Sequence, residues 1–255
     1  MQRKILIIDD HDDLASALTE VFSHIGHEVT VLERRADAMA IERLDAFDIV
    51  ITDLDVQPGE ASIEEHVKAF KFSAANFRRE EFDEDELKNF VATVLDYKIR
   101  FVDKPEHVQA LHENIEFELP SAMSLMHIVL EYLIKRVEKL GVCTPEQSNL
   151  FVALDEAFVN AIKHGNKFDV NKLVRVNAEV SKVEAKFTIE DEGEGFDVQK
   201  IPDPLDPENL FKTSGRGVLF IYNIMDEVVY NDRGNRVTMV KKSGEHKFPS
   251  GIEDL

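Results

Sequence analysis

Apolar and polar positions follow two different rhythms along the chain. Over residues 1–115 short apolar runs alternate with stretches of helical periodicity, the order expected of a parallel sheet with crossover helices. Lys4 to Ile8 predicts a strand. Leu14, Leu18, Val21, Phe22 and Ile25 recur at helical intervals, and Gly26 closes that helix as its C-terminal cap. Glu28 to Leu32 predicts a second strand, Ala36 to Leu44 a short helix, and Asp48 to Thr52 a third strand ending at Asp53. Gln57-Pro58-Gly59 marks a turn, after which Ile63 to Phe70 reads as a short helix and Phe70 to Ala74 as a fourth strand. The acidic run Arg78 to Glu86 suits a solvated loop or a helix start, and Leu87 to Tyr97 is helical. Ile99 to Val102 then predicts the fifth strand, and Pro105 opens a helix over Glu106 to Asn114.

The rhythm changes at a break over Phe117 to Pro120. Ser121 to Leu140 is periodic through Leu125, Met126, Val129, Leu133, Val137 and Leu140 and stops at Gly141. A second long helix begins with Thr144 as N-cap, Pro145 in the first turn and Gln147 completing a capping box, and it runs to His164 with Gly165 at its end. Strict alternation follows in Val174, Val176, Ala178, Val180 and again in Val183, Ala185, Phe187, Ile189, the pattern of half-buried antiparallel strands. A helix over Val218 to Met225 and a hairpin through Asp232-Arg233-Gly234-Asn235 complete this half, and residues 243–255 read as a loose tail.

Composition narrows the classes of function. With 44% of 255 residues apolar, disorder as the general state is excluded. Fifty acidic residues against 30 basic ones give a formal charge of -20, which repels a phosphate backbone or an anionic leaflet, so neither nucleic acid nor membrane is an expected partner. Cys143 is the single cysteine, which excludes an intrachain disulfide and a Cys-based zinc cluster. The opening residues are too short an apolar run for a secretory leader, and no stretch reaches about 18 uninterrupted apolar residues. A cytoplasmic protein is expected.

In a parallel sheet covered on both sides, the carboxyl ends of the strands face one crevice. On the reading above, Asp9 and Asp10 end the first strand, Asp53 ends the third and Lys104 follows the fifth. Three carboxylates in a small space need a cation, so the grouping suggests a Mg²⁺ site of Asp9, Asp10 and Asp53, with Lys104 placed to neutralise an incoming phosphoryl group. The segments KILIIDD, ITD and FVDKP resemble the receiver domain of bacterial response regulators. The resemblance implies that Asp53 is the phosphoacceptor, Asp9 and Asp10 the metal-binding acids, and Lys104 the lysine on the phosphoryl oxygens. The matching hydroxyl at the end of strand four would be Ser73, which stands closer to Asp53 than that family's spacing requires. Either strand four lies elsewhere or the third helix is shortened. Acids at strand ends are also ordinary surface, and a receiver-like domain that only binds partners stays open.

On the second long helix Glu156, Asn160 and His164 fall at i, i+4 and i+8 beside the apolar Leu150, Leu154, Phe158 and Ile162. A carboxylate and an amide one turn apart can hold a hydrated Mg²⁺ and activate an attacking hydroxyl, although the same spacing is common on plain helix surfaces. Downstream, Asp191-Glu192-Gly193-Glu194-Gly195-Phe196 ends a strand, where glycines admit a ligand close to the backbone and the aspartate can accept from an amino group. Ser214-Gly215-Arg216-Gly217 then leads into a helix whose N-terminal amides suit phosphate. Together EAFVNAIKHGN, DEGEGF and SGRGVLFIYNIMDEV resemble the GHKL ATP-binding fold, and most closely its anti-sigma-factor serine kinase branch. That resemblance implies Glu156 as catalytic base, Asn160 as Mg²⁺ ligand and Asp191 as the adenine-binding acid. It also implies Gly193 and Gly195 beneath the nucleotide, Arg216 and Gly217 in a phosphate-binding lid, and His164 and Asn166 as supports of the pocket.

The expected fold class is α/β with two domains, a doubly wound parallel-sheet receiver-like domain over 1–115 and a GHKL-type α/β sandwich over 116–242. The resemblances imply a response regulator, phosphorylated on Asp53 by an upstream histidine kinase. Its output would be a protein serine/threonine kinase using ATP and Mg²⁺ on an anti-sigma-factor antagonist. The alternative is a nucleotide-gated module that sequesters a sigma factor without transferring phosphate. A sensor histidine kinase fits less well, because His127 is the one histidine in the helix Ser121 to Leu140 and is followed by Ile128 rather than an acid. That helix also offers a homodimer interface, since the anti-sigma kinases it resembles act as dimers.

Overall fold

The structure is a computed structural model that describes residues 2–10, 13–33, 44–56, 67–77, 82–103, 112–143, 149–198 and 216–244. Among these residues the strands are β1 (Lys4–Asp9), β2 (Glu28–Leu32), β3 (Ile49–Val56), β4 (Val67–Ser73), β5 (His112–Pro120), β6 (Leu173–Ser181), β7 (Glu184–Asp191), β8 (Glu227–Tyr230) and β9 (Arg236–Lys242). The α-helices are α1 (Asp13–His24), α2 (Glu84–Tyr97), α3 (Met123–Leu140), α4 (Leu150–Val159) and α5 (Arg216–Ile224). A π-helical turn, Lys98–Val102, prolongs α2, and another, Asn160–Gly165, prolongs α4.

Alternation decides the middle of the molecule. In β5 the apolar Ile115, Phe117 and Leu119 are buried while Glu116 and Glu118 lie on the other face. The residues 117–120, expected as a break between domains, are therefore the end of a strand. β5 pairs parallel to β4 on one side and antiparallel to β6 on the other, so a single nine-stranded sheet runs through both halves in the order β2-β1-β3-β4-β5-β6-β7-β9-β8. The helix expected over Glu106 to Asn114 is overturned at its end by the same strand, and residues 104–111 lie outside the described residues.

The doubly wound parallel sheet expected for the first half is also corrected. β1 pairs parallel with β2 and β3, but β4 runs antiparallel to β3 from Val50↔Ser73 to Val56↔Val67. Only residues 57–66 separate the two strands, fewer than the dozen or so that a parallel crossover requires. The fifth strand expected at Ile99 to Val102 is the helical turn after α2, with Ile99 exposed and Val102 buried. A four-residue apolar run does not distinguish strand from helix by its period.

One continuous apolar layer lies between the sheet and its helices. It takes Ile5 and Ile7 from β1, Phe70 and Phe72 from β4, Phe117 from β5, Val176 from β6 and Phe187 from β7, packed with Phe90 of α2, Leu133 of α3 and Phe158 of α4. Each such side chain contributes about 1.5–3 kcal/mol on burial, so this layer joins the two halves more firmly than a linker would. Among the described residues a second apolar cluster lies on the opposite face, at Leu6 and Ile8 of β1 and Leu54 of β3. The periodicity read in Ser121 to Leu140 is the buried face of α3, and Gly141 ends that helix in a left-handed conformation at φ 74°. No helix among the described residues is long and apolar enough to cross a membrane.

Candidate functional site

The acids of the first half and those of the second meet different surroundings. Asp53 is followed by three more strand residues rather than ending β3, and it is 1% exposed. Both of its oxygens accept from the Lys98 ammonium at 3.0 Å. Lys98 also lies 3.5 Å from Asp103, and Arg136 of α3 reaches Asp103 at 3.2 Å and Glu113 of β5 at 2.7 Å. The Tyr132 hydroxyl donates to Asp103 at 3.3 Å, and the ammonium of Lys98 stands over the Phe70 ring at 4.7 Å. Burial alone would lower the pKa of Lys98, but the carboxylates of Asp53 and Asp103 outweigh it and hold the ammonium above its usual value.

This network surrounds the aspartate expected as the phosphoacceptor. Asp9 is 2% exposed and its Oδ2 accepts from the backbone N–H of Ala15 in the first turn of α1, at 2.8 Å, while Asp10 is exposed. Among the described residues no group of three or more His, Cys, Asp or Glu side chains gathers to hold a metal. Ser73 lies opposite Val50, three positions from the Phe70 that faces Asp53, and an odd step turns it to the other face of the sheet. Its hydroxyl donates to Glu118 at 2.8 Å, so it does not reach Asp53. Lys104 lies outside the described residues. Lys98, which sequence reasoning passed over, takes the counter-charge because the helical turn after α2 carries it into the core.

In the second half the chain builds a cavity of about 690 Å³ with Glu156, Asn160, Asp191, Gly217, Tyr230 and Arg236 on its walls. Glu156 and Asn160 come from α4 and the turn that follows. The α-helical spacing extends to Val159, after which i+5 bonding, such as Asn166 N–H to Ala161 O at 2.8 Å, widens the last turn. Widened turns of this kind recur at functional sites because they re-aim the side chains that follow. His164 and Lys163 line the cavity with exposed side chains. The capping box expected at Thr144, Pro145 and Gln147 lies outside the described residues, and α4 is described from Leu150.

Asp191 closes β7 from the far wall and is 8% exposed. Its Oδ1 accepts from the Gly193 N–H at 2.8 Å. Burial pushes its carboxyl above the ordinary carboxylate range, against the opposing pull of that amide and of the Arg233 charge. Gly165 is required here, since a Cβ would overlap the Asp191 carboxylate. Asn166 is fully buried and ties three segments together: its Nδ2 donates to Ser121 Oγ at 2.7 Å and Leu173 O at 2.9 Å, and its Oδ1 accepts from Glu192 N at 2.8 Å. A sequence-expected supporting residue thus holds the helix end, β6 and the loop after β7 in one register.

The third wall is the first turn of α5. Gly217 packs against the Glu156 carboxylate so closely that a Cβ would overlap Oε2. The first turn of α5 therefore stands beside a carboxylate and an amide, and the first-turn amides of helices in general attract anions. Arg216 opens the helix, and Ser214 and Gly215 lie outside the described residues. Sequence reasoning missed Tyr230 and Phe196, whose rings meet edge to face at 5.3 Å by the cavity, and Arg236 on β9. Tyr230 and Arg236 flank the short β8–β9 turn, so their approach to Asp191 follows from the antiparallel pairing of β7 with β9, which a linear reading does not supply.

Glu156, Asn160 and Asp191 thus share one cavity, with Gly217 beside Glu156. Residues 121–241 match the Histidine kinase-like ATPase domain family. The ATPase-like region includes every one of these cavity residues. The Serine-protein kinase RsbW of Staphylococcus epidermidis is 27% identical to the chain over 142 residues, covering 52% of this chain and 89% of the relative. The protein of the same name from Staphylococcus aureus strain Newman is 26% identical over the same length and shares. The first half of the sheet, with Asp53 and Lys98, lies outside the residues that match the family.

Proposed function

We propose that the chain is an ATP-dependent protein serine/threonine kinase acting on an anti-sigma-factor antagonist protein. The observation that supports this most is the placement of Glu156 and Asn160 in the same cavity as Asp191 and the first turn of α5. Asp191 accepts a hydrogen bond from the exocyclic amino group of adenine, and the amides at the start of α5 receive phosphate oxygens. Glu156 accepts the proton of the substrate hydroxyl as its oxygen bonds to the γ-phosphorus, and the bond from that phosphorus to the bridging oxygen breaks to release ADP. Mg²⁺, a hard cation that takes one or two protein oxygens together with phosphates and water, fits the amide oxygen of Asn160 and, when bound, spreads charge developing on the γ-phosphoryl group.

Similarity to proteins named serine-protein kinases supports serine as the acceptor. Asp53 has no part in this reading, because its carboxylate is buried and held by Lys98. The first half then extends the sheet of the ATPase-like region as a fixed support rather than a phosphorylated switch. Incubation with γ-labelled ATP and purified antagonist proteins tests the reading. Label on a serine or threonine of the antagonist, lost in Glu156→Gln, is expected. ATP binding without label transfer, together with nucleotide-dependent capture of a sigma factor, would support sequestration instead.

A further inference from the structure

The turn between β8 and β9 has no role in the mechanism above, yet it is tied to the residue that meets the base. Asn235 Nδ2 donates to Asp191 O at 2.6 Å, and Asp191 N–H donates to Asn235 O at 2.9 Å. Two residues before Asn235, Arg233 Nη2 donates to Gly193 O at 2.6 Å. Asn235 is itself fixed, since its Oδ1 accepts from Asn231 Nδ2 at 2.9 Å and its N–H donates to Asn231 Oδ1 at 3.1 Å. The backbones interlock as well: Gly195, at φ 77°, lies where a Cβ would overlap Arg233 O, and a Cβ on Gly234 would overlap Phe196 O.

We propose that Asn235, assisted by Arg233, is a positioning residue that fixes Asp191 for recognition of a ligand's exocyclic amino group, an inference that rests on the nucleotide reading above. Asp191 is the last residue of β7 and the residues after it form no regular element, so the strand alone does not hold its carboxylate. Recognition groups need placement within about 0.5 Å, which demands a second layer of bonds. The turn supplies that layer. Asn235 lines the same cavity, but both ends of its amide are engaged by protein, so its side chain acts through Asp191.

The test compares ATP with purine riboside triphosphate, which lacks the exocyclic amine, on the full chain. Wild type binds ATP more tightly. Asn235→Ala loses about tenfold in ATP affinity, the scale of one good hydrogen bond, while affinity for the amine-free nucleotide stays unchanged. In the Asn235→Ala background, adding Asp191→Asn brings no further loss, because both changes remove the same recognition. Arg233→Met, at an exposed position, loses ATP affinity in the same selective way by a smaller factor and decides alone if Asn235→Ala does not fold. Equal losses for both nucleotides would overturn the positioning role. A wild type that binds neither nucleotide would overturn the nucleotide reading itself, and this proposal with it.

Discussion

Asp53 and Asp191 are two acids late in strands of one sheet, both buried, and they teach opposite lessons. Asp53 meets the Lys98 ammonium inside a packed layer, so its charge is neutralised by protein. Asp191 meets a backbone amide through Oδ1 and lies on the wall of a cavity. A carboxylate at a strand end is therefore no site until its counter-charge is located. When the protein pairs the acid directly with a lysine, the acid is structural; when an amide holds one oxygen and a cavity adjoins it, a ligand can be sought there.

The comparison can be broken in several ways. The largest effect is expected at the chemistry: Glu156→Gln lowers phosphoryl transfer by about 10²–10⁴-fold, the usual worth of a positioned base, while ATP still binds. Retained transfer in a single-turnover assay would remove Glu156 from that role. Next, Lys98→Met leaves Asp53 and Asp103 buried without their shared cation and costs about 3–5 kcal/mol, read as a lower urea midpoint. A neutral outcome would mean that the network contributes nothing to the fold.

A smaller effect is expected from pH. Because burial raises the Asp191 carboxyl above its unfolded value, the stabilising contribution of this group is fully present below the ordinary carboxylate range and fades as pH rises through the raised value. Ligand binding has the reverse sign, since accepting from an amino group uses the ionised form. ATP affinity therefore falls as pH drops through the raised value, and Asp191→Asn, already weak, shows no such fall. The smallest effect is none: a small-molecule phosphodonor leaves Asp53 unmodified, checked by mass spectrometry of the intact protein. Acyl phosphate at Asp53 would restore the switch that its burial argues against.

Much of the second half was legible because its signals are local. The periodicity of α3, the alternation of β6 and β7, and the glycines at 165, 193 and 217 each describe a stretch of chain that needs little context. The first half misled where the decisive facts were long-range. Ile99 to Val102 is too short to reveal its period, and the partner that turned β4 antiparallel cannot be read from either strand alone. The alternation of Ile115, Phe117 and Leu119 is present in the sequence, but it runs through the break expected over Phe117 to Pro120, and Pro120 ends β5 at its last pairing with β6, opposite Leu173. Lys98 was invisible as the partner of Asp53 because the pair is 45 residues apart and depends on that same helical turn.

The most direct test is a pair of thermal melts, Asp53→Asn and Asp191→Asn, each with and without ATP. The account predicts a crossed result. Asp53→Asn melts earlier because Lys98 loses its closest carboxylate, yet ATP still raises its midpoint. Asp191→Asn melts at or above the wild-type temperature near neutral pH, because the cost of a buried charge is removed, and ATP no longer shifts it. An ATP shift that disappears in Asp53→Asn and survives in Asp191→Asn would contradict the account at its centre.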